Sequence, residues 1–422
     1  MKHFKAIIIF ALTFLSLNAC DRNDETAFKE IYQLTKQNNF FKAKVQFESN
    51  KNALSKSYQK FISAVLDNAF NKLDASEQAI EDLMEKENSI PDSLQFKLLE
   101  TRYDNALKLY HYKEAKNTIL TILNSYKKYL NHEQLDDYEN SLKIWTALEN
   151  APAQQVDIKK TTTIKMEKDI AGLNTLKMFA NNDSLNFIFD TGANLSTTSL
   201  SVAKQLNMEI IPVDIKVGTI TGEKVIAKLA LCNKLTMGNI DLFNVVFLVL
   251  PDEALCFPHI NYQIYGILGF PVIEALKEMR ITKNGNFIVP RDESLSSECS
   301  NMAMEGLTPI IYINEKHFTF DTGADHTIFY HKFYKENQAE IDINHKSEKI
   351  SFGGAGGQKE FEGYKIDYVF NIGGTQVSLQ NISLLKEKIN KSETVYGNIG
   401  QDLIQNFNMM VINFDKMFIR FE

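Results

Sequence analysis

The sequence lacks most of the motifs from which hydrolases, metalloenzymes and nucleotide-binding proteins are recognised. Its four cysteines, Cys20, Cys232, Cys256 and Cys299, contain no CxxC pair, and its eight histidines are scattered. Neither a zinc site nor a thioredoxin-like redox pair has the spacing it needs, and each histidine reads as a surface or packing residue. G-x-S-x-G, His-Glu-x-x-His and a Cys-His pairing of recognisable spacing are all missing, so those hydrolase classes have nothing to stand on. FGGAGGQKE begins like a phosphate-binding loop but runs into Gln358-Lys359-Glu360, with no Gly-Lys-Ser/Thr and no helical pattern after it. No metal and no cofactor is therefore expected. Basic residues are also in deficit, 46 Lys+Arg against 53 Asp+Glu for a formal charge of −7, which argues against nucleic acid as a partner.

What is present divides by composition. The first twenty residues, MKHFKAIIIFALTFLSLNAC, place Lys2 and Lys5 before an apolar stretch from Ala6 to Leu17, the pattern of a secretory signal. It falls short of the ~20 apolar residues that span a bilayer. Its end, Leu17-Asn18-Ala19-Cys20, resembles the lipobox of bacterial lipoproteins. That resemblance implies cleavage before Cys20, a lipid on its thiol and a place in the bacterial cell envelope, periplasmic or surface-facing. No later segment reads as transmembrane, so this lipid is the one expected anchor. Removing residues 1–19 takes two lysines away and leaves 44 − 53 = −9. Three later cysteines remain, too many for all of them to pair with one another.

From about Asp24 to Asn150 the chain is poor in Gly and Pro, and apolar residues recur at i, i+3 and i+4, the helical period. FFKAKVQF, SEQAIEDL and YKEAKNTIL align with Ala43, Ala79 and Ala115 spaced 36 residues apart, followed by Phe47, Leu83 and Ile119. The period is similar to that of tetratricopeptide repeats, without their usual Trp and Gly-Tyr pair. Helical hairpins are expected here, as a protein-binding arm, a spacer or an inhibitory cover. Trp145 reads as a core residue of the last helix. APAQQVDIKK, residues 151–160, ends the helical pattern and serves as a linker; beyond it the periodicity becomes two.

The carboxy-terminal region is written twice. FDTGANLSTT begins at Phe189 and FDTGADHTIF at Phe320. Asp190 and Asp321, Tyr265 and Tyr396, Gly266 and Gly397, and Gly269 and Gly400 are all separated by 131 residues, and each Asp precedes its last Gly by 79. Constant spacing within one chain marks a duplication in which each copy supplies half of a site. Both Asp-Thr-Gly motifs follow strand-like runs, SLNFIF and KHFTF, so each Asp sits where a strand turns over. VGTITGEKVIAK at 217–228 and FGGAGGQKEFEG at 352–363 read as glycine-punctuated hairpins, followed by β-rich runs at 239–250 and 375–385.

Asp-Thr-Gly-Ala, a Gly-rich hairpin and the later Ile267-Leu268-Gly269, present in two copies, resemble an aspartic peptidase, and Asp-Thr-Gly-Ala-Asp-x-Thr at 321–327 is closer to the retropepsin branch than to the pepsin branch. The likeness spans roughly residues 160–422 and implies an all-β, two-lobed acid protease fold behind the all-α, TPR-like region. It divides the chain into a signal (1–19), a helical domain (20–150), a linker (151–160), lobe 1 (161–290), a second linker (291–304) and lobe 2 (305–422). It further implies a dyad of Asp190 and Asp321 activating a water to cut extended polypeptide. Thr191 and Thr322 would support the loops, Gly192 and Gly323 would keep the carboxyls close, and Gly218, Thr219, Thr221, Gly222, Gly354, Ala355 and Gly356 would form flaps. Asn398 departs from the pattern, which wants an apolar residue there, so unequal lobes are expected. Ala193 and Ala324 replace hydroxyls that lower the dyad pKa in pepsin-like enzymes, which implies activity at mildly acidic to near-neutral pH. The rival reading is a peptide- or protein-binding lipoprotein that uses the same cleft and helical array without cutting.

Overall fold

The computed structural model describes residues 24–85, 90–218, 224–258, 261–294, 300–354, 357–372, 374–389 and 393–422. A helical region is followed by a β-rich one, and the chain forms two compact units, residues 1–105 and 106–422.

The first unit is helical. Helix α1 (24–36) and α2 (Phe40–Asn50) form one hairpin, α3 (Lys56–Ala69) and α4 (Leu73–Met84) a second, and α5 (Asp92–Lys108) follows. Phe28 on α1 stacks on Tyr58 of α3 with ring centroids 3.9 Å apart and meets the edge of Phe61. Ser76, fully buried on α4, donates to the Ala64 carbonyl and accepts from the Asn105 amide, whose oxygen takes a hydrogen bond from Asn68. These buried polar groups are thereby satisfied, which burial demands. Asn38 and Asn71 take the left-handed conformation in the three-residue turns between paired helices, where Asn is better tolerated than most side chains. The repeat is visible in burial: Phe47, Leu83 and Ile119 are all buried, whereas Ala43 and Ala115 are buried and Ala79 only half so.

The second unit begins with α6 (Tyr112–Ser125) and α7 (His132–Leu148). Asn131 opens α7 with a capping box completed by Gln134. Tyr112 and buried Trp145 stack at 5.7 Å between the two helices. Asn140 on α7 pairs with the backbone of Lys216, accepting from its N–H at 2.8 Å and donating to its carbonyl at 2.9 Å. Lys216 lies on the edge strand Glu209–Gly218 of lobe 1, so a helix side chain satisfies peptide groups that an edge strand would otherwise leave open.

Among the described residues the β-rich body holds a nine-stranded sheet in lobe 1, an eight-stranded sheet in lobe 2, a small two-stranded sheet and a five-stranded sheet. The five-stranded sheet joins the lobes by pairing Glu278–Thr282 with Met409–Asn413. The two lobes repeat the same local pairings. Gly266–Leu268 runs parallel to Asp183–Phe189 with Ile267 opposite Ile188, and Gly397–Ile399 runs parallel to Lys316–Phe320 with Asn398 opposite Thr319. They are unequal elsewhere: the helix after the first motif is Leu200–Gln205, and its counterpart after the second is His331–Asn344.

The joining sheet carries a buried acid. The Glu278 side chain is fully covered and accepts from the Ser294 N–H and hydroxyl, the Asn413 amide and the Arg280 guanidinium. Burial alone would push its carboxyl up, but these donors outweigh burial and hold it below its ordinary value. A depressed folded-state pKa contributes stability above the unfolded pKa, and that contribution is lost as pH falls through the folded value. Glu278→Gln is therefore expected to destabilise the chain by about 1–3 kcal/mol at pH 7, with the deficit shrinking in acid; urea unfolding of both proteins at pH 7 and pH 4 measures it.

Candidate active site

Each Asp-Thr-Gly sits at the end of a strand whose last residues are buried. Phe187, Ile188 and Phe189 close one strand, and Phe318 and Phe320 the other, and this anchoring fixes the peptide groups that follow. The Asp190 N–H donates to the Leu268 carbonyl at 3.2 Å, and the Asp321 N–H to the Ile399 carbonyl at 3.0 Å. Behind each loop, Gly269 donates to the Ser196 hydroxyl and Gly400 to the Thr327 hydroxyl at 3.1 and 3.2 Å. Glycine is required at both positions by close approach: a Cβ on Gly269 would stand 2.4 Å from the Leu195 carbonyl carbon, and one on Gly400 would stand 2.6 Å from that of His326.

The loops are tied across the lobes by the two threonines. Thr191 donates its hydroxyl to the Phe320 carbonyl at 2.8 Å and accepts from the Thr322 N–H at 3.0 Å. Thr322 donates to the Phe189 carbonyl at 2.8 Å and accepts from the Thr191 N–H at 3.1 Å. Both side chains are buried, so the four bonds are shielded from water. Asp190 and Asp321 beside them are partly buried, each accepting at 2.8 Å from the N–H of its own motif's glycine, Gly192 or Gly323.

The glycines set how near the acids come. A Cβ on Gly192 would lie 2.7–2.9 Å from the Asp321 carboxyl atoms, and one on Gly323 would lie 2.4–2.6 Å from those of Asp190. Each acid thus rests on the opposite motif's glycine. Burial, then the charge of Asp321 and a hydrogen bond with it, hold the Asp190 carboxyl well above the usual carboxylate range, against the Gly192 and Ala193 N–H groups that lower it. Two carboxyls this close cannot both ionise cheaply.

Asn398 stands where the family pattern wants an apolar residue. It is buried, and its amide donates to Asp321 Oδ2 at 3.2 Å while its oxygen accepts from the Thr319 hydroxyl at 2.6 Å. The residues at the corresponding register of lobe 1 are Ile188 and Ile267. In the sequence Asn398 stands only as a departure from a pattern. The signal that could have found its role is Thr319, which departs from Ile188 in the same register.

Of the hairpin positions, Gly218 ends its strand opposite Lys224 with open space where a Cβ would be, and Gly354 pairs with Gly357. Thr219, Thr221, Gly222, Ala355 and Gly356 lie outside the described residues, as does Cys20. Tyr364 is a buried strand residue whose hydroxyl donates to Asp342 at 2.6 Å. Cys232 and Cys256 are free thiols, and burial pushes Cys232 up to about 11. Among the described residues no group of His, Cys, Asp and Glu could hold a metal ion, and no helix is long and apolar enough to cross a membrane.

The family model described as aspartyl protease matches residues 176–272, which contain Asp190 and the Gly269 segment but end before Asp321. No curated protein matches the chain. Among solved structures, a retropepsin-like aspartic protease from Rickettsia conorii aligns at 20% identity over 32% of this chain and 92% of that one, with a TM-score of 0.21.

Two outcomes follow from this geometry. Thr191→Val leaves the buried Phe320 carbonyl and Thr322 N–H without their partner, so it is expected to cost about 1–3 kcal/mol, with Thr191→Ser close to wild type in the same denaturation series. Asp190→Asn has the opposite sign at neutral pH. A raised carboxyl pKa contributes stability below the unfolded pKa, and that contribution is lost as pH rises through the folded one. A permanently neutral amide escapes that loss, so Asp190→Asn should melt above wild type at pH 7–8 and converge with it in acid; thermal scans across that range read the difference.

Proposed function

We propose that the chain is an aspartic endopeptidase in which Asp190 and Asp321 activate one water for attack on a peptide bond. The observation that carries the reading is the mutual seating of the two acids, each against the other motif's glycine, over the crossed threonine bonds. A pair sharing one proton has a base and an acid in place at once. The ionised carboxylate takes a proton from water as the water oxygen bonds to the carbonyl carbon, and the protonated partner gives its proton to the carbonyl oxygen. When the resulting diol collapses, the C–N bond breaks, the amine nitrogen receives the first proton and the second returns to its carboxyl. This chemistry draws on the two carboxyls and a water.

Substrate is taken to be a polypeptide segment held extended by main-chain hydrogen bonds, with the hairpins Glu209–Gly218/Lys224–Met237 and Glu348–Gly354/Gly357–Ile372 as the covering elements. Ala193 and Ala324 bring no hydroxyl to the dyad, and Asp190 holds its proton tightly, so the reading places activity at mildly acidic to near-neutral pH. The lipobox-like LNAC supports a lipid on Cys20 and an envelope location, and the helical region supports a protein-binding role.

The test is incubation of the purified chain with a diverse peptide mixture from pH 3 to 8, reading new termini by mass spectrometry. Cleavage should appear between about pH 4 and 7 and fall at least ~100-fold in Asp190→Asn and in Asp321→Asn, as loss of a general acid or base does. New termini that persist in either variant, or wild-type cleavage confined below about pH 3, would count against the shared dyad. Peptide binding with no cleavage in all three proteins would favour a binding module.

A further inference from the structure

The two halves of the site are related by the 131-residue offset at many backbone contacts, which makes a polar difference beside one acid informative. In lobe 1 the strand pair behind the loop puts Ile188 opposite Ile267, and in lobe 2 the same register puts Thr319 opposite Asn398. The substitution of a polar pair for an apolar pair lies directly against one acid, because the Asn398 amide reaches Asp321 Oδ2 at 3.2 Å. Asp190 accepts from the Gly192 N–H at 2.8 Å just as Asp321 accepts from Gly323, but the corresponding side chain behind it is Ile267, which has no polar atom to offer.

The Asn398 amide is held from both ends. The Thr319 hydroxyl donates to Asn398 Oδ1 at 2.6 Å, with the Gly397 carbonyl as a second, longer acceptor at 3.3 Å. With Oδ1 so engaged, Nδ2 faces the carboxyl and donates to Asp321 Oδ2. An N–H donor beside a carboxyl oxygen favours the ionised form.

We propose that Asn398, oriented by Thr319, makes the dyad unequal before any substrate arrives: Asp321 holds the negative charge and Asp190 holds the shared proton. Asn398 is a positioning residue in this scheme, acting through Asp321. For the proposed reaction, Asp321 becomes the base that takes the proton of water and Asp190 the acid that protonates the carbonyl oxygen. That catalytic consequence rests on the peptidase reading, whereas the charge placement rests on geometry alone. Titratable neighbours leave the assignment intact. Asp190 faces Asp321 across the lobes, and Tyr330 faces it behind Thr319, with Glu393 beyond. Asp325 and His326, on the same loop, are exposed and pair with each other at 2.9 Å. Asp402 accepts from Thr327, and Lys168 reaches Gln401, whose amide donates to the Thr322 carbonyl.

The test reads the two carboxyls directly, by carbon-13 NMR of the whole chain labelled at aspartate, with the signals assigned from Asp190→Asn and Asp321→Asn. At pH values where the pair holds one proton, Asp321 should resonate as a carboxylate and Asp190 as an acid. A charged-group hydrogen bond sets a preference of roughly tenfold. Asn398→Ile, which restores the lobe 1 residue, and Thr319→Val should each reduce that preference about tenfold, and Thr319→Ser should retain it. Equal signals in wild type, the reverse assignment, or a preference unmoved by both Asn398→Ile and Thr319→Val would overturn the proposal. Peptide cleavage is scored on the same samples: a preference that responds as described in a protein that cuts nothing sustains the charge placement and removes only the peptidase reading.

Discussion

Everything at this site depends on four hydrogen bonds between two threonines and the loop opposite each. Without them, two strand ends carrying acids have no reason to meet, since the charges repel and burial penalises both. The Thr191 and Thr322 hydroxyls each donate to a carbonyl and accept an N–H of the other lobe, so neither loop is complete alone. Because the four bonds are buried, breaking any one strands a backbone group away from water. The acids are brought together as a by-product of satisfying peptide groups, and Gly192 and Gly323 allow the final approach that any Cβ would block.

Symmetry of backbone is combined with asymmetry of side chain. Main-chain contacts repeat across the lobes almost bond for bond: Phe270 N–H to the Ala193 carbonyl in one, Gln401 N–H to the Ala324 carbonyl in the other. Side chains around this frame differ. The Pro271 carbonyl in lobe 1 receives the Tyr110 hydroxyl and the Gln154 amide, whereas in lobe 2 the corresponding residue is Asp402, which binds the Thr327 hydroxyl and N–H. Asn140 holds the edge strand leading into the lobe 1 hairpin. A duplicated frame thus carries two differently supported halves.

Much of this was legible in the sequence because duplication supplies its own control. One Asp-Thr-Gly is an ordinary turn, but two at the same distance from two Gly-containing segments fix which residues must correspond. The strands before Asp190 and Asp321 and the burial of Trp145 could be read from pattern alone. Asn398 could not be read correctly, because its meaning comes from a neighbour 79 residues earlier, Thr319, brought beside it only by strand pairing. The grip of Asn140 on Lys216 was invisible for the same reason: a polar residue on a helix carries no mark of the edge strand it completes. The spacing of the repeated alanines does not show that their burial differs: Ala79 is only half-buried, and Ser76 is the fully buried small residue on its helix.

Two carboxyls in the β-rich body illustrate how local donors decide what burial does. Glu278 and Asp190 both lose solvent on folding, and desolvation raises both. Glu278 sits among Ser294, Asn413 and Arg280, and the donors win, so the joining sheet favours its charged form. Asp190 instead meets another acid, which adds to desolvation and favours the neutral form. The consequences for folding run in opposite directions with pH: acid weakens the sheet that joins the lobes, and alkali penalises the acid at the site. The conditions in which the joint is charged while the dyad still holds one proton lie between those limits. That interval follows from donor placement around two named residues.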